Sequence, residues 1–379
     1  MNKIWVLTVV LFLAGCSQTD QTHEKTAETS TEQPTTETPT TEEATTEQPQ
    51  KASNTTTMKH LDNLAEGPIT PKSVVANGKG QLIANNMMYQ HTVTLYDAKS
   101  RKLTQKLSDK TDLSDIGIHK EVSGAPVEAV WTKDGQYAYV SQYQLTDMGA
   151  EAEDECVAGN AIQPSAVYRY SLKDKDWDQV IQVGRVPKYV ALTPDNKQLL
   201  VSNWCDKSLS VVDTATVKET KKIPLNSMPR GIVTLKDNNT AYVTAMFANE
   251  IYRVNLKTGK SEVALKTGNR PRHLVIDDQE NLYLTVAGAN ELVKMDHNAK
   301  VLARTQTGQE PRSMTISQDN KSLYVVNYNE DTASKFDAAT LITLQKVQTG
   351  HMPIGITYEP TTHTVWVANY SGSLDVFTQ

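Results

Sequence analysis

Apolar and polar positions along most of the chain fall into short runs of strand length, and those runs recur on a fixed spacing. A proline opens each copy. A short apolar run follows, then a turn of Pro, Asp, Asn or Gly, then a more apolar run ending on Asn or a small residue. Pro187-Lys-Tyr-Val-Ala-Leu leads to Leu199-Leu-Val-Ser-Asn203, and Pro229-Arg-Gly-Ile-Val to Ala241-Tyr-Val-Thr-Ala245. Pro271, Pro311 and Pro353 open the next three copies, and these five prolines are 42, 42, 40 and 42 residues apart. Two looser copies open at Pro71 and Pro126. Each copy holds four runs; in the third they lie near 188–192, 199–203, 208–213 and 218–223. The runs are rich in Val, Tyr and Thr and lack a 3.6-residue period, which excludes a helical repeat of similar length. Four short strands per repeat predict an all-β fold in which each copy is one blade of a β-propeller.

The seventh copy stops after three strands, at Val376-Phe377, and the segment His60–Ala65 supplies the missing fourth. Closing the ring this way removes two sheet edges at once. The expectation is a seven-bladed propeller of four-stranded blades over residues 58–379. Ala241-Tyr-Val-Thr-Ala245 and its cognates resemble the repeats of YVTN-type seven-bladed propellers, a lactonase-like superfamily. The resemblance implies the fold. It leaves activity open, because lactonases, lyases, binding proteins and surface proteins share that scaffold.

Ahead of the repeats the pattern changes twice. Lys3 precedes an apolar run, Ile4 to Leu13, and then Ala14-Gly15-Cys16. This reads as a secretory signal over residues 1–15, too short to span a bilayer permanently. Leu13-Ala14-Gly15-Cys16 resembles the lipobox of bacterial lipoproteins. That resemblance implies cleavage before Cys16, its lipidation, and a membrane anchor outside the cytoplasm. Residues 16–57 are a Thr/Glu/Pro/Gln-rich stretch with no apolar period and fifteen threonines, which reads as a disordered tether.

Charge sharpens this division. The formal net charge is −6, and the tether alone holds eight acids against Lys25 and Lys51. The repeat region is therefore nearly neutral, and no whole-domain attraction to a polyanion is expected. Three cysteines exclude a disulfide scaffold and a four-cysteine zinc site.

Candidate chemistry gathers on one face. The innermost strand of a blade starts on the side where strands two and three are joined, here called the top. Successive prolines Pro71, Pro126 and Pro187 are 55 and 61 residues apart. The surplus falls in 108–125 and 145–165, both top connections on adjacent blades, where binding surfaces are commonly built. The residue after each repeat proline is Lys72, Val127, Lys188, Arg230, Arg272, Arg312 or Ile354. Five of these seven are basic. Such a ring predicts a positive channel mouth that focuses anions, unless each cation pairs with an acid such as Glu128 or Glu310.

Tyr143, Trp204, Phe247, Tyr328 and Tyr370 follow the second strands, also near the top, with Tyr143 and Trp204 favoured for ligand contact and the others for packing. Cys156 and Cys205 lie on neighbouring top loops, and in an exported protein they are expected to form a disulfide. No histidine accompanies them at ligand spacing. The insertion acids Asp147, Glu151, Glu153, Asp154 and Glu155 lack a calcium-loop spacing, so no metal site is assigned.

The histidines His91, His273 and His351 and the carboxyl of Glu128 are the candidate acid–base groups. His273 and Glu128 share one ring position, two residues after a repeat proline, with Ser73, Tyr189, Gly231, Ser313 and Gly355. There is no G-x-S-x-G elbow, no H-E-x-x-H and no Walker loop, so neither nucleophile nor cofactor is assigned. Two readings follow. One is a non-catalytic, monomeric, lipid-anchored propeller that takes an anionic ligand at its top mouth, with nucleic acid as a variant. The other is a lactonase-like hydrolase or lyase using His273 and Glu128.

Overall fold

The second strands Thr240–Ala245 and Ser322–Asn327 are buried at every position, whereas the fourth strand Val301–Gln306 alternates between partly covered and exposed. This gradient accounts for the composition of the repeat. Inner strands lie between neighbouring sheets and need apolar or β-branched residues on both faces; rim strands cover one face only. The computed structural model describes residues 57–146, 148, 156 and 161–379, which fall within the unit Pro49–Gln379. The proposed lipidation site Cys16, most of the tether, and Asp147, Glu151, Glu153, Asp154 and Glu155 lie outside the described residues.

Among the described residues there are seven four-stranded antiparallel sheets and one two-stranded hairpin. The innermost strands are Ser73–Ala76, Pro126–Trp131, Pro187–Leu192, Pro229–Thr234, Pro271–Ile276, Pro311–Ile316 and Pro353–Glu359. Six of them begin on the repeat proline. A proline suits this position because a strand's first residue need not donate to the ladder.

Closure follows the expected route. The strand His60–Leu64 pairs antiparallel with Ser373–Thr378, setting His60 opposite Phe377 and Leu64 opposite Leu374. A buried carboxylate reinforces the pairing. Asp375 accepts Asn63 Nδ2 at 2.6 Å and faces His60 Nε2 at 3.1 Å from the closing strand. It also accepts Asn369 Nδ2 at 2.8 Å and the Gly350 N–H at 2.7 Å from its own blade.

The Asn that ends several second strands is explained by the hairpin it caps. Asn203 Nδ2 donates to Ser208 and Ser210 on the third strand at 3.1 and 2.7 Å, and its Oδ1 accepts the Gly184 N–H at 3.0 Å. Asn327 does the same with Thr332, Ser334 and the Gly308 N–H. One side chain thus ties the top hairpin to the incoming connection from the blade before.

The first oversized connection forms a hairpin, Lys110–Leu113 with Ile118–Ser123, around a short 3-10 turn at Ser114–Ile116. Leu113 and Val122 pack against Tyr168 and Val180 of blade two, and Asp115 accepts the Val180 N–H at 3.0 Å. Its base meets the second insertion, where the Thr146 N–H bonds Ser123 O at 2.8 Å. This hairpin covers the flank of blade two, while Cys156 of the second insertion packs beside the channel mouth with Tyr143 and Trp204.

Candidate functional site

A shift of register aims the site residues. In blades two to seven the pairing of the innermost strand slips just after the repeat proline; Pro187 faces Asn203 while Tyr189 faces Ser202, leaving Lys188 as the extra residue. A bulge of this kind bends a strand and redirects its side chains. Consecutive residues therefore line two successive spaces on the axis. Lys72, Lys188, Arg230, Arg272 and Arg312 line an upper cavity of about 440 Å³. Ser73, Glu128, Tyr189, His273, Ser313 and Gly355 line a lower one of about 180 Å³.

The turn into four of the six bulges is strained. Val186, Arg270, Glu310 and Met352, each just before a repeat proline, have φ of 55°, 60°, 54° and 57°. A left-handed backbone is unusual for any side chain here, most of all for β-branched Val186, and residues before proline favour extended conformations. The turns are held by the second strands: Val186 O accepts the Trp204 N–H at 3.0 Å, Glu310 O that of Tyr328 at 3.1 Å, and Met352 O that of Tyr370 at 2.9 Å. Strain of this size persists where neighbouring structure over-determines it.

In the upper cavity the five predicted cations are joined by Arg270, one acid, Glu310, and the side chains of Trp204, Met228, Met246 and Phe247. Arg312 Nε and Nη2 donate to Glu310 Oε1 at 3.0 and 2.7 Å, and the guanidinium lies 3.4 Å from the centroid of the Tyr328 ring. Arg312 is thus fixed by the acid that the sequence paired with it. Lys188 Nζ sits over Tyr143 at 4.5 Å and Trp204 at 5.1 Å, and Lys72 Nζ over Tyr370 at 5.1 Å. Aromatic faces of this kind stabilise a cation by about 0.5–2 kcal/mol each. Burial, and then the charges of Arg230, Lys188, Arg272 and Arg312, hold the Lys72 ammonium well below the usual lysine range.

Most of the predicted aromatics are packing residues. Trp204 and Tyr143 are buried beneath the lysine they support, with Trp204 still lining the cavity. Phe247 is 56% exposed, in edge contact with Trp204 at 5.6 Å. It is the aromatic that the mouth presents to solvent.

Below the mouth, His273 stands between two hydroxyls. Tyr189 Oη is 3.0 Å from its Nε2, and Ser313 Oγ is 2.8 Å from its Nδ1. Burial, together with the charges of Arg230 and Arg272, lowers the imidazole to about 3, so the ring is neutral at ordinary pH. Burial raises Tyr189 well above the usual phenol range, with the Glu128 charge adding to it. Glu128 is raised to about 7 by burial, against the opposing pull of the Ala129 N–H, Arg230, Ser73 and Lys72. Its accessible surface opens onto the channel rather than bulk water, which is why desolvation outweighs four favourable neighbours.

Glu128 and His273 thus share one cavity although they belong to blades two and five. His91 and His351 belong to neither cavity. His91 Nδ1 is 3.0 Å from Gly124 O and 3.3 Å from Asp109, and His351 Nδ1 is 2.9 Å from Asp331.

Cys156 and Cys205 form the expected disulfide, with Cα atoms 5.5 Å apart. Beside it, Asp206 accepts the Arg185 N–H at 3.0 Å and pairs with the Arg185 guanidinium, which fixes the blade-three side of the loop. Among the described residues, no cluster of three or more His, Cys, Asp or Glu could hold a metal ion.

Two family models match the repeats in overlapping stretches: a YNCE-like β-propeller over residues 171–325, and a seven-bladed lactonase β-propeller over residues 287–379. Both matches agree with the seven four-stranded sheets. The chain is a seven-bladed β-propeller. Antigen Lp49 of Leptospira interrogans is 25% identical to the propeller over 175 residues, 43% of this chain. The matched stretch covers only 38% of that relative's length. Among solved structures, the propeller superposes on a hydrazine synthase chain of Kuenenia stuttgartiensis with a TM-score of 0.63 at 17% identity, covering 83% of this chain and 97% of that one. Virginiamycin B lyase from Staphylococcus aureus gives a TM-score of 0.65 at 12% identity, over 85% and 99%. At these identities the superpositions speak for the fold.

Proposed function

We propose that this propeller is a binding protein of the bacterial cell envelope that takes an anionic ligand at its top mouth without transforming it. The observation that carries this reading is the convergence of Lys72, Lys188, Arg230, Arg272 and Arg312 on one cavity of about 440 Å³ in an otherwise nearly neutral domain. Bringing like charges together costs free energy, which Glu310 offsets at Arg312 and Arg270 and which a bound anion would offset further. A cavity of this volume suits a small molecule better than a polymer strand.

Titration calorimetry with inorganic pyrophosphate tests the reading. Binding should weaken steeply with added salt and fall about tenfold or more in Arg272→Gln. Salt-independent binding, or none, overturns it. A single-stranded oligonucleotide that outcompetes pyrophosphate would move the ligand to the nucleic-acid class.

Display from the membrane belongs to the same proposal and rests on the lipobox-like tetrapeptide ending at Cys16. Radiolabelled palmitate should enter the wild-type chain and fail to enter Cys16→Ser.

One observation favours a second reading, a lactonase-like hydrolase or lyase. The Glu128 carboxyl, near 7, can gain and lose a proton at ordinary pH and shares one cavity with a neutral imidazole bonded to two hydroxyls. Turnover of a panel of lactones that is lost in both His273→Ala and Glu128→Gln, with the thermal transition kept, would favour the enzyme.

A further inference from the structure

The mouth has two chemically different walls. Among the described residues, the apolar side chains that line it, Trp204, Met228, Met246 and Phe247, come from blades three and four. Lys188 and Arg230 accompany them there, whereas blades five and six carry Arg270, Arg272 and Arg312 with no apolar lining residue, Glu310 sitting between Arg270 and Arg312. The apolar wall is built in: the Met246 N–H bonds Met228 O at 3.0 Å, which holds both thioethers at one turn, and Trp204 braces Phe247 edge-on. Met246 and Trp204 are buried and Met228 is half-buried, so Phe247 is the most exposed part of this wall. A site for a bare inorganic anion has no use for an exposed phenyl ring and two thioethers on its rim. Methionine adapts to irregular apolar shapes, and a phenyl ring offers a flat face.

We infer that the ligand is an amphipathic acid: a carboxylate, sulfonate or phosphate head held by the arginines of blades five and six, joined to a flat apolar body laid against Phe247 and the methionines. This rests on the anion-binding reading and adds the chemistry of the rest of the ligand. The bidentate fork of arginine suits a planar or tetrahedral oxyanion, and it positions the body toward the opposite wall.

The test compares 1-naphthoate with acetate, which has the head alone, and 1-naphthamide, which has the body alone. Inorganic pyrophosphate is the reference anion. Naphthoate should displace pyrophosphate and bind at least about tenfold tighter than acetate or naphthamide. Phe247→Ala should cost naphthoate about tenfold and pyrophosphate much less, with Phe247→Leu restoring most of the naphthoate loss. Phe247 is exposed, so these variants are expected to fold. Equal affinity for naphthoate and acetate, or no effect of Phe247→Ala while pyrophosphate still binds, overturns this inference and leaves the anion reading standing. Loss of pyrophosphate binding in the wild type overturns both.

Discussion

Tyr189 and His273, 84 residues apart and on blades three and five, meet in the channel at 3.0 Å. They reach each other past blade four, whose residue at the same repeat position is Gly231. A Cβ on Gly231 would come within 2.8 Å of Arg272 O and 3.1 Å of His273 Cα. The glycine is a close-approach position, where the innermost strands of blades four and five nearly touch. Gly231→Ala is therefore expected to push those strands apart. It should lower stability by roughly 1–3 kcal/mol in urea denaturation and weaken pyrophosphate binding through the displaced Arg272.

Glu128 should make anion binding depend on pH. Its carboxyl is raised to about 7, so it is neutral in mildly acidic solution and ionised above neutrality. Ionisation places a negative charge beneath the cationic mouth, so affinity should fall as pH rises through 7, by about fivefold. Glu128→Gln should abolish that step. A second loss at higher pH should remain, because the lowered Lys72 sheds its proton earlier than an ordinary lysine. Stability follows the same sign: the folded state holds the Glu128 proton more tightly than the unfolded chain, so this group's contribution is lost as pH rises from about 4.5 to about 7. Calorimetry from pH 5.5 to 9 reads both steps; a flat profile removes Glu128 from the account.

Removing the Asp375 carboxylate should loosen the closure of the ring. Asp375→Ala strands Asn63, Asn369 and the Gly350 N–H without their acceptor. The expected loss is roughly 2–4 kcal/mol, with earlier hydrogen exchange in His60–Leu64 than in any inner strand. Asp375→Asn keeps an acceptor oxygen and should lose less.

Reduction of Cys156–Cys205 should destabilise the top of blades two and three. The bridge closes a loop with 49 residues of separation, for which loop entropy predicts a contribution of about 4 kcal/mol. The paired variant Cys156→Ser with Cys205→Ser should unfold at lower urea, and the wild type should match it once reductant is added. Unreduced protein should not react with iodoacetamide at these two positions.

Much of this fold is legible in the sequence because a blade repeats its own punctuation. The proline, the turn and the Asn-capped second strand recur at nearly constant spacing, and the three-strand last copy calls for a partner strand. The cysteines were legible because the repeat places them on neighbouring loops. The site was only partly so. The basic residues announce themselves by position, but the register slip that separates Lys188 from Tyr189, and Arg272 from His273, depends on backbone pairing that no residue type encodes. The encounter of Tyr189 with His273 requires knowing that Gly231 leaves room between them. Trp204 and Tyr143 look like contact residues beside the insertion; both are largely buried under Lys188, and Trp204 still lines the cavity. Exposure is decided by the packing of adjacent blades, and it is Phe247 that remains open.

The pairing of His60–Leu64 with Ser373–Thr378 also dictates an order of events. His60–Leu64 is made well before Ser373–Thr378, so the wheel keeps an unsealed seam until the later strand has emerged. Latching it requires two segments some three hundred residues apart to find each other. A protein built this way should mature slowly, with Ser373–Thr378 acting as the clasp.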